Sequence, residues 1–348
     1  MTETFAAYAQ RVAAGDPGVF LGQLVWYSVS DNLSVEHSDV VAAMDRLGFD
    51  KPCPSPSCAT SPSSSCRVCN GTGRDRSVYP NVPRLDDVFR RVCTANERRR
   101  QPTAVESLYE NHLIRDVRRS RGLVVKQLVV ETVNSGDQVL DYAPAVQLTY
   151  KPGAASIDVS LIDDAFEDNP TVNAIVDQIR ADFVSEQDRV TGHAIRDTYR
   201  NILLDVHATA VRTGVYFVAQ SEAFVVHSLN ELALELVEFA NLTGRDNVDL
   251  TFHALPLIDD QAQRAMLRQA FEDETIEQMH RDFAEIEKML AGPKITARRA
   301  GDFAARMKAV KAKASEYRDL LDDTLDTVGM ELAAYELRMV DLLNHTKD

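Results

Sequence analysis

The stretch that decides the fold lies between residues 112 and 162 and reads HLIRDV (112–117), LVVKQLVVETV (123–133), QVLDY (138–142), AVQLTY (145–150) and SIDVSLI (156–162). Apolar and polar residues alternate in these runs, as they do in half-buried β-strands. The runs are separated by the turn signals RSRG, NSGD, Pro144 and KPGA. Because this spacing is typical of hairpins, the stretch predicts an antiparallel β-meander of about five strands with one packed and one solvated face.

The segment that follows, 166–258, predicts helices and a small β-α-β unit. Asn169 and Pro170 form an N-cap and N1 pair before a helical apolar stripe at Val172, Ile175, Val176, Ile179 and Phe183. A second helix is predicted from Thr191 to Gly214. Beyond it lie VYFVA (215–219) as a strand, EAFVVH (222–227) as a run that could pair back on it, SLNELALELVEFA (228–240) as an amphipathic helix and VDLTFHALPLI (248–258) as a strand.

Residues 259–346 carry a long apolar stripe with the 3-4 spacing of a heptad pattern. Its first half is Ile276, Met279, Phe283, Ile286 and Leu290; its second half is Phe303, Met307, Val310, Ala314, Tyr317, Leu321, Val328, Leu332, Tyr335, Met339 and Leu342. Ala291-Gly-Pro-Lys294 interrupts the stripe between the halves. The pattern predicts an antiparallel helical hairpin with a coiled-coil seam, and the alternative is a helical face packed on the rest of the domain.

Upstream of the meander the chain predicts a mixed α/β region. Residues 3–14 are alanine-rich and helical in pattern, QLVWYSVS (23–30) predicts a strand with Trp26 in the core, and Ser34 would cap a helix that ends at Leu47 before Gly48. PRLDDVFRRV (83–92) begins another helix. The fold class is therefore α+β, in four regions: 1–110 with a cysteine-rich loop inserted at 50–75, the meander at 111–165, the helical and β-α-β unit at 166–258, and the hairpin at 259–348.

The insertion contains four of the five cysteines, Cys53, Cys58, Cys66 and Cys69, within 17 residues. Pairs of cysteines two to four residues apart can each supply two of the four thiolates that zinc takes in a tetrahedron. The linker between the pairs is rich in serine and has no apolar residues for a core, so a metal would be its main source of order. The alternatives are free thiols or a redox disulfide, and Asp50 or a water could replace one sulfur of the looser Cys53/Cys58 pair. Cys93, on a predicted helix, is expected to be a small buried hydrophobe.

Two resemblances follow from these motifs. CRVCNGTG (66–73) resembles one repeat of the cysteine-rich zinc domain of DnaJ-type co-chaperones and is similar to single-repeat zinc loops of small bacterial regulators and phage proteins. This resemblance implies a structural zinc ion. LVWYSVSD, PRLDDVFRRV, GVYFV and the Tyr317-Arg-Asp-Leu-Leu helix resemble proteins of actinobacterial phages and prophages. That resemblance implies a mobile-element setting and no particular activity.

The net charge of −15 disfavours broad contact with a phosphate backbone. One region differs, because 84–126 holds ten arginines and one lysine against six acids. It contains a possible binding patch at Arg98, Arg99, Arg100, Arg118, Arg119 and Arg121. The plainer interpretation is a solvated helix face and a charged turn, which is favoured over nucleic-acid binding.

The sequence shows no P-loop, no G-x-S-x-G elbow and no H-E-x-x-H motif. It shows no signal-peptide pattern and no apolar run long enough to span a bilayer, so a cytoplasmic protein is expected. We therefore expect a non-enzymatic interaction protein with a structural zinc loop and self-association or partner binding through 259–346. The alternatives are a nucleic-acid-binding protein using the zinc loop and 84–126, and an enzyme whose site gathers scattered acids and histidines.

Overall fold

The computed structural model of the chain describes residues 20–53, 55, 58, 66, 69, 73–120, 123–243, 248–292 and 296–345. The helix predicted at 3–14 lies outside these residues. The strands of the described part are β1 Phe20–Val29, β2 Ser34–Glu36, β3 Lys51–Pro52, β4 Arg74–Asp75, β5 Arg98–Pro102, β6 Leu108–Ser120, β7 Leu123–Asn134, β8 Val139–Tyr150, β9 Asp158–Leu161, β10 Arg189–Thr191, β11 Thr209–Arg212, β12 Val215–Ala219 and β13 Leu250–Ile258. The α-helices are α1 His37–Arg46, α2 Leu85–Ala95, α3 Pro170–Glu186, α4 Gly192–Asp205, α5 Ala223–Leu242, α6 Gln261–Leu290, α7 Ala297–Leu321 and α8 Asp326–Asn344.

The chain forms two compact units that are discontinuous in sequence, and this division differs from the four consecutive regions expected above. The larger unit contains the described residues of 20–33, 41–79 and 192–345, and the smaller unit contains 34–40 and 80–191. The difference arises because β1 pairs with strands that lie about 190 to 240 residues later in the chain. Likewise α2 and α3 pack together, although the meander separates them in sequence.

The smaller unit is built on the antiparallel meander that the alternation predicts, with strand order β5-β6-β7-β8-β9. The sheet has five strands, as predicted, but the strand boundaries differ from those of the five predicted runs. QVLDY and AVQLTY together form the single strand β8. Its pairing with β7 shifts register at Pro144, since Val129 lies opposite Pro144 but Leu128 lies opposite Val146. A proline is tolerated there because a bulge releases it from donating to the ladder. The fifth strand of the sheet is β5, which lies upstream of the predicted runs and was not predicted from the sequence.

Helices α2 and α3 pack on one face of this sheet. Asn169 caps α3 by accepting hydrogen bonds from the backbone N–H groups of Thr171 and Val172, each 3.0 Å long. The apolar stripe predicted for α3 is entirely buried. Its Phe183 ring meets the ring of Phe89 of α2 edge-on, with the ring centroids 6.2 Å apart. The expectation of a solvated opposite face is wrong for the central strand, since Val129 and Val133 are also buried.

The larger unit contains a four-stranded sheet with order β11-β12-β1-β13. Both β12 and β13 run antiparallel to β1, so they are parallel to each other and are joined through α5. This is the predicted β-α-β unit with one N-terminal strand inserted between its two strands. EAFVVH does not pair back on β12; most of it forms the first turn of α5. The helix predicted to reach Gly214 ends at Asp205, because 209–212 pair with β12 as β11.

The two faces of this sheet pack against different helices. On one face Leu21, Phe217 and Leu257 join the core of α6, α7 and α8. On the other face, the ring centroid of Tyr199 of α4 lies 5.2 Å from that of Tyr27 and 6.1 Å from that of Phe252. Trp26 was expected in the core, and this is wrong: its ring is 39% exposed and stacks on His253 of the edge strand β13 at 5.3 Å. The helix predicted from Ser34 starts at His37, because residues 34–36 pair with β10.

The C-terminal segment folds into packed helices, as predicted. Helix α6 is the first helix of the predicted hairpin. The second arm is divided into α7 and α8 at Asp322 and Leu325, which both adopt the left-handed conformation. Burial of Leu325, only 1% exposed, offsets the cost of this conformation. Most of the predicted stripe is buried and the rest is partly buried. The stripe packs within the helical layer and against the sheet, which agrees with the alternative of a face packed on the domain.

Candidate metal centre

The four clustered cysteines lie on a loop that is closed by a short antiparallel ladder. Lys51 pairs with Asp75 and Pro52 with Arg74, and the backbone N–H of Cys53 donates to the carbonyl of Gly73 over 2.9 Å. Gly73 has φ +74°, a left-handed conformation that favours glycine. The ladder therefore holds the two ends of the cysteine loop side by side.

The base of the loop is attached to α1. Arg76 donates two hydrogen bonds to the carboxylate of Asp45, 2.8 and 3.2 Å long, and the hydroxyl of Tyr79 donates to the same carboxylate over 2.7 Å. Burial and the bond to Asp45 raise the pKa of Tyr79, so its hydroxyl stays protonated as the donor. Arg74 forms an ion pair with Asp50. That carboxylate is therefore already engaged, which weakens the alternative that Asp50 replaces a sulfur.

The sulfurs of Cys53, Cys58, Cys66 and Cys69 all lie within 4.8 Å of one another. Sγ of Cys53 is 3.8 Å from Sγ of Cys66, and Sγ of Cys58 is 3.5 Å from Sγ of Cys69. These contacts are far longer than the ~2.05 Å of a disulfide, and none of the four cysteines forms a disulfide. Four thiolates at ~2.3 Å from a central ion lie about 3.8 Å apart, so the cluster fits a tetrahedral metal site.

Each of these two pairs combines one cysteine from each end of the loop. Cys58 and Cys69 are buried at 7% and 3% exposure, whereas Cys53 and Cys66 are half-buried. The N–H of Cys58 donates to the carbonyl of Ser55 over 2.9 Å, which makes a tight turn between the first two sulfurs. Gly71, which follows the second cysteine pair, lies outside the described residues. A site with four protein sulfurs has no open coordination position, so its chemistry would be structural.

The sulfurs also perturb one another electrostatically. A backbone hydrogen bond from Ser55 lowers the pKa of Cys53, but desolvation and hydrogen bonds from the other three cysteines outweigh it and raise the pKa to about 12. Four neighbouring thiolates repel one another unless a cation lies between them. A bound metal would supply that positive charge and release the thiol protons.

Cys93 does not belong to this cluster. It is fully buried on α2 within the core of the smaller unit, and burial raises its pKa to about 12. The prediction that it is a small buried hydrophobe is confirmed.

The structure spreads the predicted arginine patch along the meander. Arg98, Arg99 and Arg100 lie on the edge strand β5, where Arg100 pairs with Asp137 at 2.5 Å and lies over the ring of Tyr109 at 4.7 Å. Arg98 pairs in register with His112, and Arg118 lies six residues farther along β6, about 20 Å away at the usual rise per residue. The side chain of Arg119 and all of Arg121 lie outside what the structure describes. The described members therefore do not converge on one site, and nucleic-acid binding stays a prediction.

One surface was missed by the sequence reasoning. Helix α8 buries the predicted stripe but exposes a second one, in which Met330, Leu337, Val340 and Leu343 are 69%, 70%, 54% and 53% exposed. With Ala333, the first three residues of this second stripe are spaced 3, 4 and 3 apart, as in a heptad. The same test of periodicity applied to both faces of the helix would have found it. We call these residues the outer face of α8.

The chain belongs to the family of unknown function DUF6744, whose model matches residues 61–348. The match begins inside the cysteine loop, so Cys66 and Cys69 lie within it and Cys53 and Cys58 precede it. No curated protein and no solved structure matches the sequence. Among the described helices, none combines the length and apolar character that crossing a bilayer requires.

Proposed function

We propose that this chain is a non-enzymatic intracellular interaction protein that holds one structural zinc ion and self-associates through its C-terminal helices. The observation that carries the association is the outer face of α8. Its four large apolar side chains expose on the order of 450 Å², as much as the largest apolar patches of typical monomers and about half of the roughly 800 Å² per partner in a standard interface. Polar residues beside the stripe would supply the remainder.

A second copy of the chain is the occupant that this face fits best. A single helix with apolar residues at 3-4 spacing can pack antiparallel against itself about a twofold axis near Leu337, so that each copy covers the same residues of the other. Two chains with a net charge of −15 repel each other, and salt screens this repulsion. Self-association should therefore strengthen with ionic strength, whereas binding to nucleic acid would weaken.

Light scattering after size exclusion tests this proposal. We expect a mass of about twice the 38.7 kDa chain, and more of the dimer at high salt. Leu337→Glu should give a monomer that keeps the circular-dichroism spectrum of the wild type, because the side chain is exposed in the folded chain. Leu234→Glu, at an exposed position of α5, is the matched control and should stay dimeric. A wild-type monomer, or a dimer that persists in Leu337→Glu, would contradict the proposal.

The proposal that the metal is zinc is supported by the donor set. Four thiolates in a tetrahedron suit zinc or an iron–sulfur centre, and the sulfur separations of 3.5 and 3.8 Å match those expected around one ion. The four sulfurs come from both ends of a loop rich in serine, proline and glycine. One bound ion would therefore hold together a loop that has no hydrophobic core of its own.

Metal analysis by plasma emission, on protein purified without a histidine tag, tests this part separately. We expect about one zinc per chain and loss of the zinc on acidification, because protons compete with the metal for the thiolates. Iron in place of zinc would overturn the identity of the metal. A metal-free preparation with four alkylatable thiols would overturn the structural site without affecting the proposed dimer.

A further inference from the structure

Helices α4, α6 and α7 line an open cavity of about 370 Å³ in the larger unit. This volume lies in the range of sites that bind small molecules. The cavity shares no residue with the cysteine loop or with the outer face of α8, so neither proposal above accounts for it.

The charged side chains that line the cavity comprise four cations and two carboxylates: Arg200, Arg281, Arg306, Lys313, Glu274 and Asp282. Both carboxylates are already hydrogen-bonded. Asp282, only 1% exposed, accepts from the hydroxyl of Tyr335 at 2.7 Å, from Arg306 at 2.9 Å and from Gln278 at 3.1 Å. Glu274 accepts from Lys313 at 2.7 Å. Among the lining side chains the cations therefore outnumber the carboxylates by two, and Glu277 and Glu285 beside the cavity pair with Arg281 and Arg306.

Lys313 is the most desolvated of these cations. Its side chain is 16% exposed, and Nζ also donates to the carbonyl of Ala208 over 3.0 Å. Burial lowers its pKa, although Glu274 opposes the shift. An ammonium group has three N–H donors, and a ligand anion would stabilise its charge further.

Two arginines line the same cavity. Arg200 of α4 is exposed and forms no hydrogen bond or ion pair with any residue in the described part of the chain. Arg281 is tethered through Glu277 and Gln278, at 2.8 and 2.9 Å. Guanidinium groups bind oxyanions through two parallel N–H bonds. Leu204 and Val310 add apolar surface beside them.

We propose that this cavity binds a small phosphomonoester, with the phosphate held by Arg200, Arg281 and Lys313 and an apolar or ring-shaped body on Leu204 and Val310. Three cationic side chains suit a dianion with three oxygens better than a carboxylate, which one guanidinium can satisfy.

Calorimetric titration with phenyl phosphate at low ionic strength tests the proposal, with inorganic phosphate and benzoate as comparison ligands. We expect saturable binding of phenyl phosphate, weaker binding of inorganic phosphate, which lacks the apolar body, and the weakest binding of benzoate. Arg200→Gln should weaken the binding of phenyl phosphate about tenfold or more, because it removes a charged pair of hydrogen bonds. Its fold should be unaffected, since this exposed side chain makes no hydrogen bond or ion pair within the described residues.

Arg298→Gln is the matched control, because it removes one exposed positive charge from α7 outside the cavity. It should leave binding unchanged. Absence of saturable binding would overturn the proposal, as would equal losses in Arg200→Gln and Arg298→Gln, which would indicate a diffuse charge effect. Benzoate binding as tight as phenyl phosphate would overturn the assignment to phosphomonoesters.

Discussion

The cysteine loop and the C-terminal helical layer are ordered by different forces. The helical layer buries a continuous apolar cluster in which Phe271 stacks on Tyr317 at 4.4 Å and Phe283 meets Tyr335 edge-on at 5.4 Å. The loop offers only four sulfurs and a ladder of two residue pairs. Apolar packing distributes stability over many contacts, whereas a metal site concentrates it in four bonds. Changes in the two regions should therefore have different consequences for the whole chain.

The largest effect is expected from Phe283→Asp. Phe283 is 7% exposed, and truncating a buried Phe to alanine costs roughly 3–5 kcal/mol; a buried carboxylate adds its desolvation. We expect the larger unit to lose most of its stability in urea unfolding followed by circular dichroism. Leu234→Asp, at an exposed position of α5 in the same unit and outside the proposed dimer interface, is the control and should unfold like the wild type. Unchanged unfolding of Phe283→Asp would show that packing does not hold this layer.

A smaller effect is expected from Tyr335→Phe, which keeps the ring and removes one donor to the buried Asp282. A buried acceptor that loses a partner costs about 1–3 kcal/mol, and Arg306 and Gln278 still donate to this carboxylate. We expect the denaturation midpoint to fall without a change in the slope with denaturant. A midpoint equal to that of the wild type would mean that the hydrogen bond adds nothing to the packing of the ring.

Cys66→Ser should change the loop and little else. Metal content should fall from about one per chain to none, and protease cleavage within 53–73 should increase, while the thermal unfolding of both units should stay close to that of the wild type. Cys93→Ser is the paired variant. It should keep its metal but destabilise the smaller unit, because it places a hydroxyl in the buried core around α2. If Cys66→Ser melted both units, the proposed independence of the two regions would be lost.

The smallest effect is expected from replacing Arg98, Arg99 and Arg100 together with serine. Arg99 and Arg100 are exposed on an edge strand, and exposed ion pairs contribute about 0–1 kcal/mol. Melting should change little, so any loss of partner or nucleic-acid binding in a pull-down would identify this strand as a binding surface. An unfolded triple variant would instead show that the pair with Asp137 and the contact with Tyr109 support the sheet.

The sequence by itself determined the features that depend on neighbouring residues. Periodicity of two predicted the meander, the spacing from Val172 to Phe183 predicted the buried face of α3, and Asn169 was placed correctly as its cap. The cysteine spacing identified the four sulfurs that the structure brings together. These predictions succeed because hydrogen bonding within a helix and alternation along a strand are set within a few residues.

Only the tertiary structure decided which of these elements meet. The insertion of β1 between β12 and β13, the exposure of Trp26 and the gathering of Arg200 and Lys313 at one cavity depend on pairings between residues far apart in sequence. Local pattern indicates that a surface is apolar but does not indicate its partner, as the two apolar faces of α8 illustrate. Partner choice follows from the burial that the whole chain achieves at once, and no window of a few residues contains that information.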